Sequence, residues 1–72
     1  MKSIDLHGIR HENVRRELDN FFWYIIKNNI TQFEIITGFS EQMKKIVYEV
    51  CEEYGFKAKE SLINGGCLIV NN

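Results

Sequence analysis

The fold is decided by residues 33–55, which read FEIITGFSEQMKKIVYEVCEEYG. An apolar run ends at Gly38, and the residues after Ser40 place apolar side chains at helical spacing. Ser40 suits a helix start because its hydroxyl accepts a backbone hydrogen bond, and Gly55 suits a helix end because glycine adopts the left-handed conformation. The pattern therefore predicts a strand at about 33–37 and a helix between Ser40 and Gly55.

The same order occurs at the beginning of the chain. Residues 4–8, IDLHG, form a short alternating run that ends in a glycine, and residues 11–28 follow with a second helical pattern. Further strands are predicted at 56–60 and 67–71. Residues 64–66, Asn-Gly-Gly, join them, and an Asn-Gly pair favours a tight turn between antiparallel strands.

These elements predict a two-layer α/β sandwich with the order βαβαββ. Strand-helix-strand units favour parallel pairing, so the four-stranded sheet should be mixed, with both helices on one face. The sequence shows no repeat, low-complexity tract or linker, and 72 residues suffice for one modest core. Residues 1–72 are therefore predicted to form a single domain.

Charge and composition limit the classes of partner. Nine Lys and Arg against ten Asp and Glu give a net charge of -1, so a global positive field is excluded and any nucleic-acid contact needs a local patch. No signal peptide precedes Lys2, and no apolar stretch approaches the ~18 residues of a membrane span. We expect a cytoplasmic protein without membrane contact. Cys51 and Cys67 lie in apolar patterns, which favours buried thiols over a disulfide.

Asp5 and His7 are the candidates for catalysis. In an extended strand, residues two apart project from the same face, which would place the carboxylate beside the imidazole. An imidazole exchanges protons near neutral pH, and Asp5 would orient it. The alternative is a surface pair with a purely structural role.

Phosphate-binding candidates surround the two glycine junctions. Gly8 allows a turn or a close backbone approach, and Arg10 offers a bidentate fork. The second junction offers amides, hydroxyls and a helix N-terminus. Its candidates are Thr37, Gly38, Ser40 and Lys44. Plain helix capping is the competing explanation for Ser40. Lys44 and Lys45 lie on the polar face of the second helix, and a solvated face is the competing explanation for Lys45.

Three aromatic residues leave alternatives open. Phe39 either stacks on an unpaired base or packs against a neighbour. Trp23 and Tyr24 interrupt the polar side of the first helix, and they indicate either extra coverage of the sheet or a homodimer contact.

Asp5 and His7 offer only two metal ligands, so no metal site or cofactor is predicted. A loosely bound magnesium, held by one carboxylate and substrate phosphates, remains open.

Three segments resemble one family. Residues 4–8 (IDLHG), residues 36–40 (ITGFS) and residues 64–70 (NGGCLIV) are similar, in order, to the signatures of the small MutS-related (Smr) domain family. We call the first two segments the first and second motifs. The family's second motif reads Ile-Thr-Gly-Lys-Gly, so Phe39 and Ser40 here replace a lysine and a glycine. That departure puts the phosphate contact ascribed to the lysine in doubt.

The resemblance implies both a fold and an activity. The fold would be similar to the C-terminal domain of translation initiation factor three. The activity would be that of a hydrolase, a nicking endonuclease that cleaves phosphodiester bonds in branched DNA or structured RNA, with Asp5 and His7 as functional residues. The alternative is a non-catalytic module that binds nucleic acid or a protein through the same surface, or docks onto a larger assembly.

Overall fold

The computed structural model describes residues 1–72 and contains four strands and two helices. They are β1 (Lys2–Asp5), α1 (His11–Lys27), β2 (Gln32–Ile36), α2 (Glu41–Tyr54), β3 (Lys57–Glu60) and β4 (Cys67–Asn71). The predicted order is confirmed, and the predicted bounds agree to within one residue except at β1, which lies two residues earlier than the predicted strand and ends at Asp5. Neither helix has the length and apolar character needed to cross a membrane.

The sheet is mixed, as predicted. Its strand order is β1-β2-β4-β3, with β1 parallel to β2 and the other two pairs antiparallel. Phe33 of β2 lies opposite Val70 of β4, and Ile35 lies opposite Leu68. These four side chains are fully buried and project from the same face, which forms the floor of the core.

Both helices cover that face. The core cluster takes Val14, Leu18, Phe22 and Ile25 from α1 and Met43, Val47, Val50 and Cys51 from α2. Each set recurs at helical spacing, so each helix turns one apolar stripe to the sheet. The opposite face of the sheet has no helix over it, which leaves the open face expected from the sequence.

An aromatic cluster fills the centre of the core around Phe22. The Phe22 ring lies 4.9 Å, between centroids, from Tyr54 and from Phe56 in edge-to-face geometry, and 5.6 Å from Phe33. Edge-to-face pairs add to the free energy gained from burial alone. Phe22 therefore joins both helices to the sheet at one point.

The cysteine prediction is confirmed. Cys51 and Cys67 are free and buried. Burial raises the pKa of Cys51 to about 12, so this thiol stays protonated and inert. Burial, followed by the nearby Glu34 carboxylate, also raises the pKa of Cys67.

The β3–β4 connection differs from the predicted Asn-Gly turn. Neither Asn64 nor Gly65 has a positive φ, which the favoured two-residue hairpin turn requires. Instead, the Asn64 side chain accepts a hydrogen bond from the Gly66 amide at 2.9 Å and closes a side-chain turn within a longer loop. The strands still pair antiparallel, as predicted.

Candidate nucleic-acid interface

The first motif, the second motif and the β3–β4 loop meet at one edge of the sheet. A Cβ atom placed on Gly38 would lie 3.0 Å from His7 Cδ2, so the imidazole rests directly against this glycine. A Cβ atom on Gly66 would lie 3.4 Å from Gly38 Cα. The three segments that carry the family resemblance are therefore in contact, although they are far apart in the sequence.

The relation between Asp5 and His7 is not the predicted one. β1 ends at Asp5, so His7 lies in the turn after the strand and the alternation of strand faces does not apply to it. The Asp5 carboxylate accepts a hydrogen bond from the backbone amide of His7 at 2.9 Å. Asp5 therefore fixes the backbone of the turn, and the contact that positions the exposed imidazole comes from Gly38.

The second motif offers fewer free donors than predicted. The amides of Thr37 and Gly38 both donate to the Gly66 carbonyl at 2.9 Å. The Thr37 side chain is buried, and its hydroxyl lies 2.8 Å from the Gly38 carbonyl. The prediction that these groups bind phosphate is therefore wrong for the two amides, because Gly66 already occupies them.

Ser40 caps α2 as predicted. Its hydroxyl accepts a hydrogen bond from the Met43 amide at 3.1 Å. The amides of Ser40, Glu41 and Gln42 have no acceptor within the protein, as is usual in the first turn of a helix. The first of these free amides lies two residues after Gly38, the glycine that contacts His7.

Lys44 does not lie on a solvated helix face. It is only 5% exposed, because it lies at helical spacing from the buried Val47 and Cys51. Its ammonium pairs with Glu60 of β3 at 2.8 Å, and this hydrogen bond raises the pKa of Lys44. Since Glu60 already balances the charge, the structure does not support Lys44 as a free phosphate ligand.

Arg10 and Gly8 lie on the exposed side of the first junction. The Arg10 side chain is 82% exposed, and its nearest acidic partner is Glu12 at 3.6 Å. Arg10 lines a shallow surface depression with Ile9, His11 and Glu12. Gly8 has φ +83°, with open space where a side chain would stand, so the turn requires a glycine and backbone approach is unobstructed.

Phe39 occupies the place where the family signature has a lysine. Its ring is 79% exposed. The ring edge contacts Gly65, and the Lys44 ammonium lies 5.9 Å from the ring centroid. Of the two predicted alternatives, the exposed position is the one observed.

Comparison with known proteins assigns the chain to a family. The family model of the Smr domain matches residues 4–63, which is most of the chain. The chain belongs to the Smr domain family. The resemblance noted in the sequence is thereby confirmed, and the first and second motifs both lie inside the matched region.

A solved structure agrees with this assignment. The fold is similar to that in the crystal structure of the Smr domain of Thermus thermophilus MutS2, with a TM-score of 0.82 and 15% sequence identity. The match covers 99% of this chain and 96% of that one. At this identity the likeness shows a shared fold. A search of curated proteins finds no match.

Two features of this Smr domain were missed in the sequence. Gly66 was assigned only to a turn, whereas its carbonyl fixes the end of β2. Two consecutive glycines, more than an Asn-Gly turn needs, were the available signal. The pairing of Lys44 with Glu60 had no signal in the sequence, because residues 16 positions apart meet only through the fold.

No group of three or more His, Cys, Asp or Glu side chains has the geometry to hold a metal ion.

We expect Gly38→Ala to disturb His7. Gly38 and Gly8 both have a left-handed backbone, at φ +70° and +83°, so alanine at either costs about 1–2 kcal/mol. Only at Gly38 would the added methyl group press on the imidazole. Proton NMR of the two histidines, His7 and His11, should therefore show the His7 ring signals moving in Gly38→Ala and not in Gly8→Ala. Equal His7 shifts in both variants would contradict the contact.

Proposed function

We propose that this Smr domain binds the phosphodiester backbone of branched DNA or structured RNA at the His7–Gly38–Gly66 junction and nicks it. The observation that carries the proposal is the contact between the His7 imidazole and Gly38, which unites the first and second motifs. An exposed imidazole in contact with Gly38, two residues before the first free amide of α2, is a suitable arrangement for proton transfer next to a bound phosphate.

In this mechanism His7 acts as the general base. It removes a proton from water or from a ribose 2′-hydroxyl, which then attacks the phosphorus atom. Asp5 is a positioning residue, because its carboxylate fixes the His7 backbone through the 2.9 Å hydrogen bond. Gly38 supplies the surface on which the ring rests.

The developing negative charge needs donors that are not already engaged. The free amides of Ser40, Glu41 and Gln42 lie at the positive end of the α2 dipole and meet this requirement. Arg10, exposed at the first junction, supplies a mobile cation for a neighbouring phosphate. A magnesium ion held mainly by substrate phosphates is compatible with these residues, but the mechanism does not require one.

A second candidate is a module that binds nucleic acid or a protein without cleaving. The specific observation in its favour is the shortage of donors at the second motif. Phe39 replaces the family's lysine, and the Thr37 and Gly38 amides donate to Gly66.

We propose a cytoplasmic location for either activity, since two free buried thiols suit a reducing compartment. Dimer formation through Trp23, which is 68% exposed, remains a separate prediction.

One experiment separates these functions. The purified protein is incubated with end-labelled branched DNA, structured RNA and blunt duplex, with and without chelator, and both binding and cleavage are scored. Cleavage of a branched or structured substrate that survives chelation supports the nuclease. Binding without cleavage leaves the binding module, and no binding to any substrate rejects both nucleic-acid functions.

We expect Arg10→Ala to weaken binding of nucleic acid more than Lys45→Ala does. Arg10 lies beside the junction, whereas Lys45 is an exposed residue of α2 without an ion pair. Removing one cation from a phosphate should lower the slope of log affinity against log salt by about 0.7–0.9. Fluorescence anisotropy at several salt concentrations measures both quantities. Equal affinities and slopes for the two variants would move the binding site elsewhere.

A further inference from the structure

Three large apolar side chains stand in solvent on segments that meet at the site. Phe39 is 79% exposed, Leu62 is 101% exposed and Ile63 is 96% exposed. Leu62 and Ile63 belong to the β3–β4 loop, which contacts Phe39 through Gly65. Exposed apolar patches mark interaction sites, and the contact through Gly65 brings the loop that carries Leu62 and Ile63 against Phe39.

The loop is held in shape by its own hydrogen bonds. Ser61 Oγ accepts from the amides of Ile63 and Asn64 at 3.2 and 3.3 Å, and Asn64 Oδ1 accepts from the Gly66 amide. The Ser61 amide donates to the Cys67 carbonyl at 3.0 Å. Because the backbone is tied at these points, Leu62 and Ile63 are held outward.

The Phe39 ring is also held in place. A Cβ atom on Gly65 would lie 3.3 Å from Phe39 Cε1, so a larger residue there would push the ring aside. The ammonium of Lys44, itself anchored by Glu60, interacts with the ring from 5.9 Å. The result is a largely open aromatic surface, in contact with Gly65 along one edge, one residue after the glycine that contacts His7.

We propose that Phe39 stacks on an unpaired nucleobase of the substrate and that Leu62 and Ile63 contact the bases beside it. This inference rests on the proposed binding of nucleic acid. A nucleotide carries its phosphate and its base on one sugar, so a phosphate at the start of α2 brings the base near Phe39. Inside a continuous duplex both faces of each base are covered by neighbours. The Phe39 surface therefore selects branch points and single-stranded segments over duplex.

The test compares two labelled DNA probes of equal length by fluorescence anisotropy. One is a three-way junction with unpaired nucleotides at the branch, and the other is a blunt duplex. Phe39→Ala should weaken junction affinity by about 5- to 150-fold, the range found when a base is deprived of its aromatic partner, and change duplex affinity by less than about twofold. Phe39→Trp should retain the preference for the junction, and Phe39→Leu should lose it, because only an aromatic ring stacks.

Two further variants complete the design. Trp23→Ala removes the other strongly exposed aromatic ring, on α1, and should leave both affinities unchanged. The double variant Leu62→Ser, Ile63→Ser should weaken junction binding and spare duplex binding. Thermal melting of each variant should match the wild type, since all the altered side chains are exposed.

The outcomes distinguish base stacking by Phe39 from the proposed binding of nucleic acid. If the wild type binds neither these two DNA probes nor their RNA counterparts, the proposed function fails and takes the inference with it. If the wild type binds both probes equally, or Phe39→Ala weakens both to the same extent, nucleic-acid binding stands and the base-stacking surface is rejected. Selective loss of junction binding in Phe39→Ala and Phe39→Leu, with retention in Phe39→Trp, supports it.

Discussion

His7→Ala should lower the cleavage rate by about 100-fold or more while the domain stays folded and keeps most of its affinity for nucleic acid. The rate loss is the usual scale of general acid-base assistance. The fold should survive because the imidazole is exposed and rests on Gly38 from outside the core. Single-turnover cleavage of a branched substrate, with enzyme in excess, measures the chemical step apart from binding.

The chain supplies a matched control for this variant. His11 is the other histidine, it is exposed at the start of α1, and His11→Ala should cleave at nearly the wild-type rate. The wild-type rate should also depend on pH through the general base, and that dependence should vanish in His7→Ala. Wild-type cleavage no faster than that of His7→Ala would reject the nuclease and leave the binding module.

Two substitutions at Asp5 test its revised role. Asn keeps an oxygen that accepts the His7 amide, whereas Ala removes the acceptor. If Asp5 acts by fixing the turn, Asp5→Asn should cleave almost as fast as the wild type and Asp5→Ala should be slower. If its charge stabilises the protonated imidazole, both variants should lose activity together.

The fold was largely predictable because each element carries its own local signal. Ser40 and Gly55 mark the ends of α2 through hydrogen bonding and backbone conformation, which depend on few neighbours. Spaced apolar residues likewise identify the buried face of each helix. These signals agree with one another, which is typical of sequences that specify one structure.

The site was less predictable because its geometry depends on contacts between distant segments. The end of β1 fell at Asp5, two residues before the histidine, and this changed the partner of the carboxylate. The amides of Thr37 and Gly38 were predicted to be free to bind a phosphate. In the structure both donate hydrogen bonds to the Gly66 carbonyl. Both errors came from treating each motif as a separate unit, whereas backbone polar groups must be paired across the whole fold.

Lys44 shows that a charged residue can belong to the buried face of a helix. Its position belongs to the buried stripe of α2, but lysine is normally assigned to the surface. The aliphatic part of the side chain lies within the protein and the ammonium reaches Glu60. The ammonium also lies 5.9 Å from the centroid of the Phe39 ring, and both contacts become visible only when β3 is packed beside α2.

Phe22→Ala should be the most damaging single substitution for stability. Phe22 is fully buried, and its ring packs against Phe33, Tyr54 and Phe56. Truncating a core phenylalanine to alanine costs about 3–5 kcal/mol, because apolar packing is removed and a cavity remains. A domain of this length has a total stability of roughly 4–11 kcal/mol, so the variant should lose between about a quarter and all of its stability at 25 °C.

Urea denaturation followed by circular dichroism measures this effect, and Phe39→Ala provides the control. The two substitutions delete the same atoms, but the Phe39 ring is 79% exposed, so its removal should change the free energy of unfolding by no more than about 0.5 kcal/mol. Since burial is the main difference between the two sites, the gap between the variants measures what burying the Phe22 ring contributes to the stability of this small domain. Similar urea midpoints for the two variants would mean that Phe22 does not join the helices to the sheet.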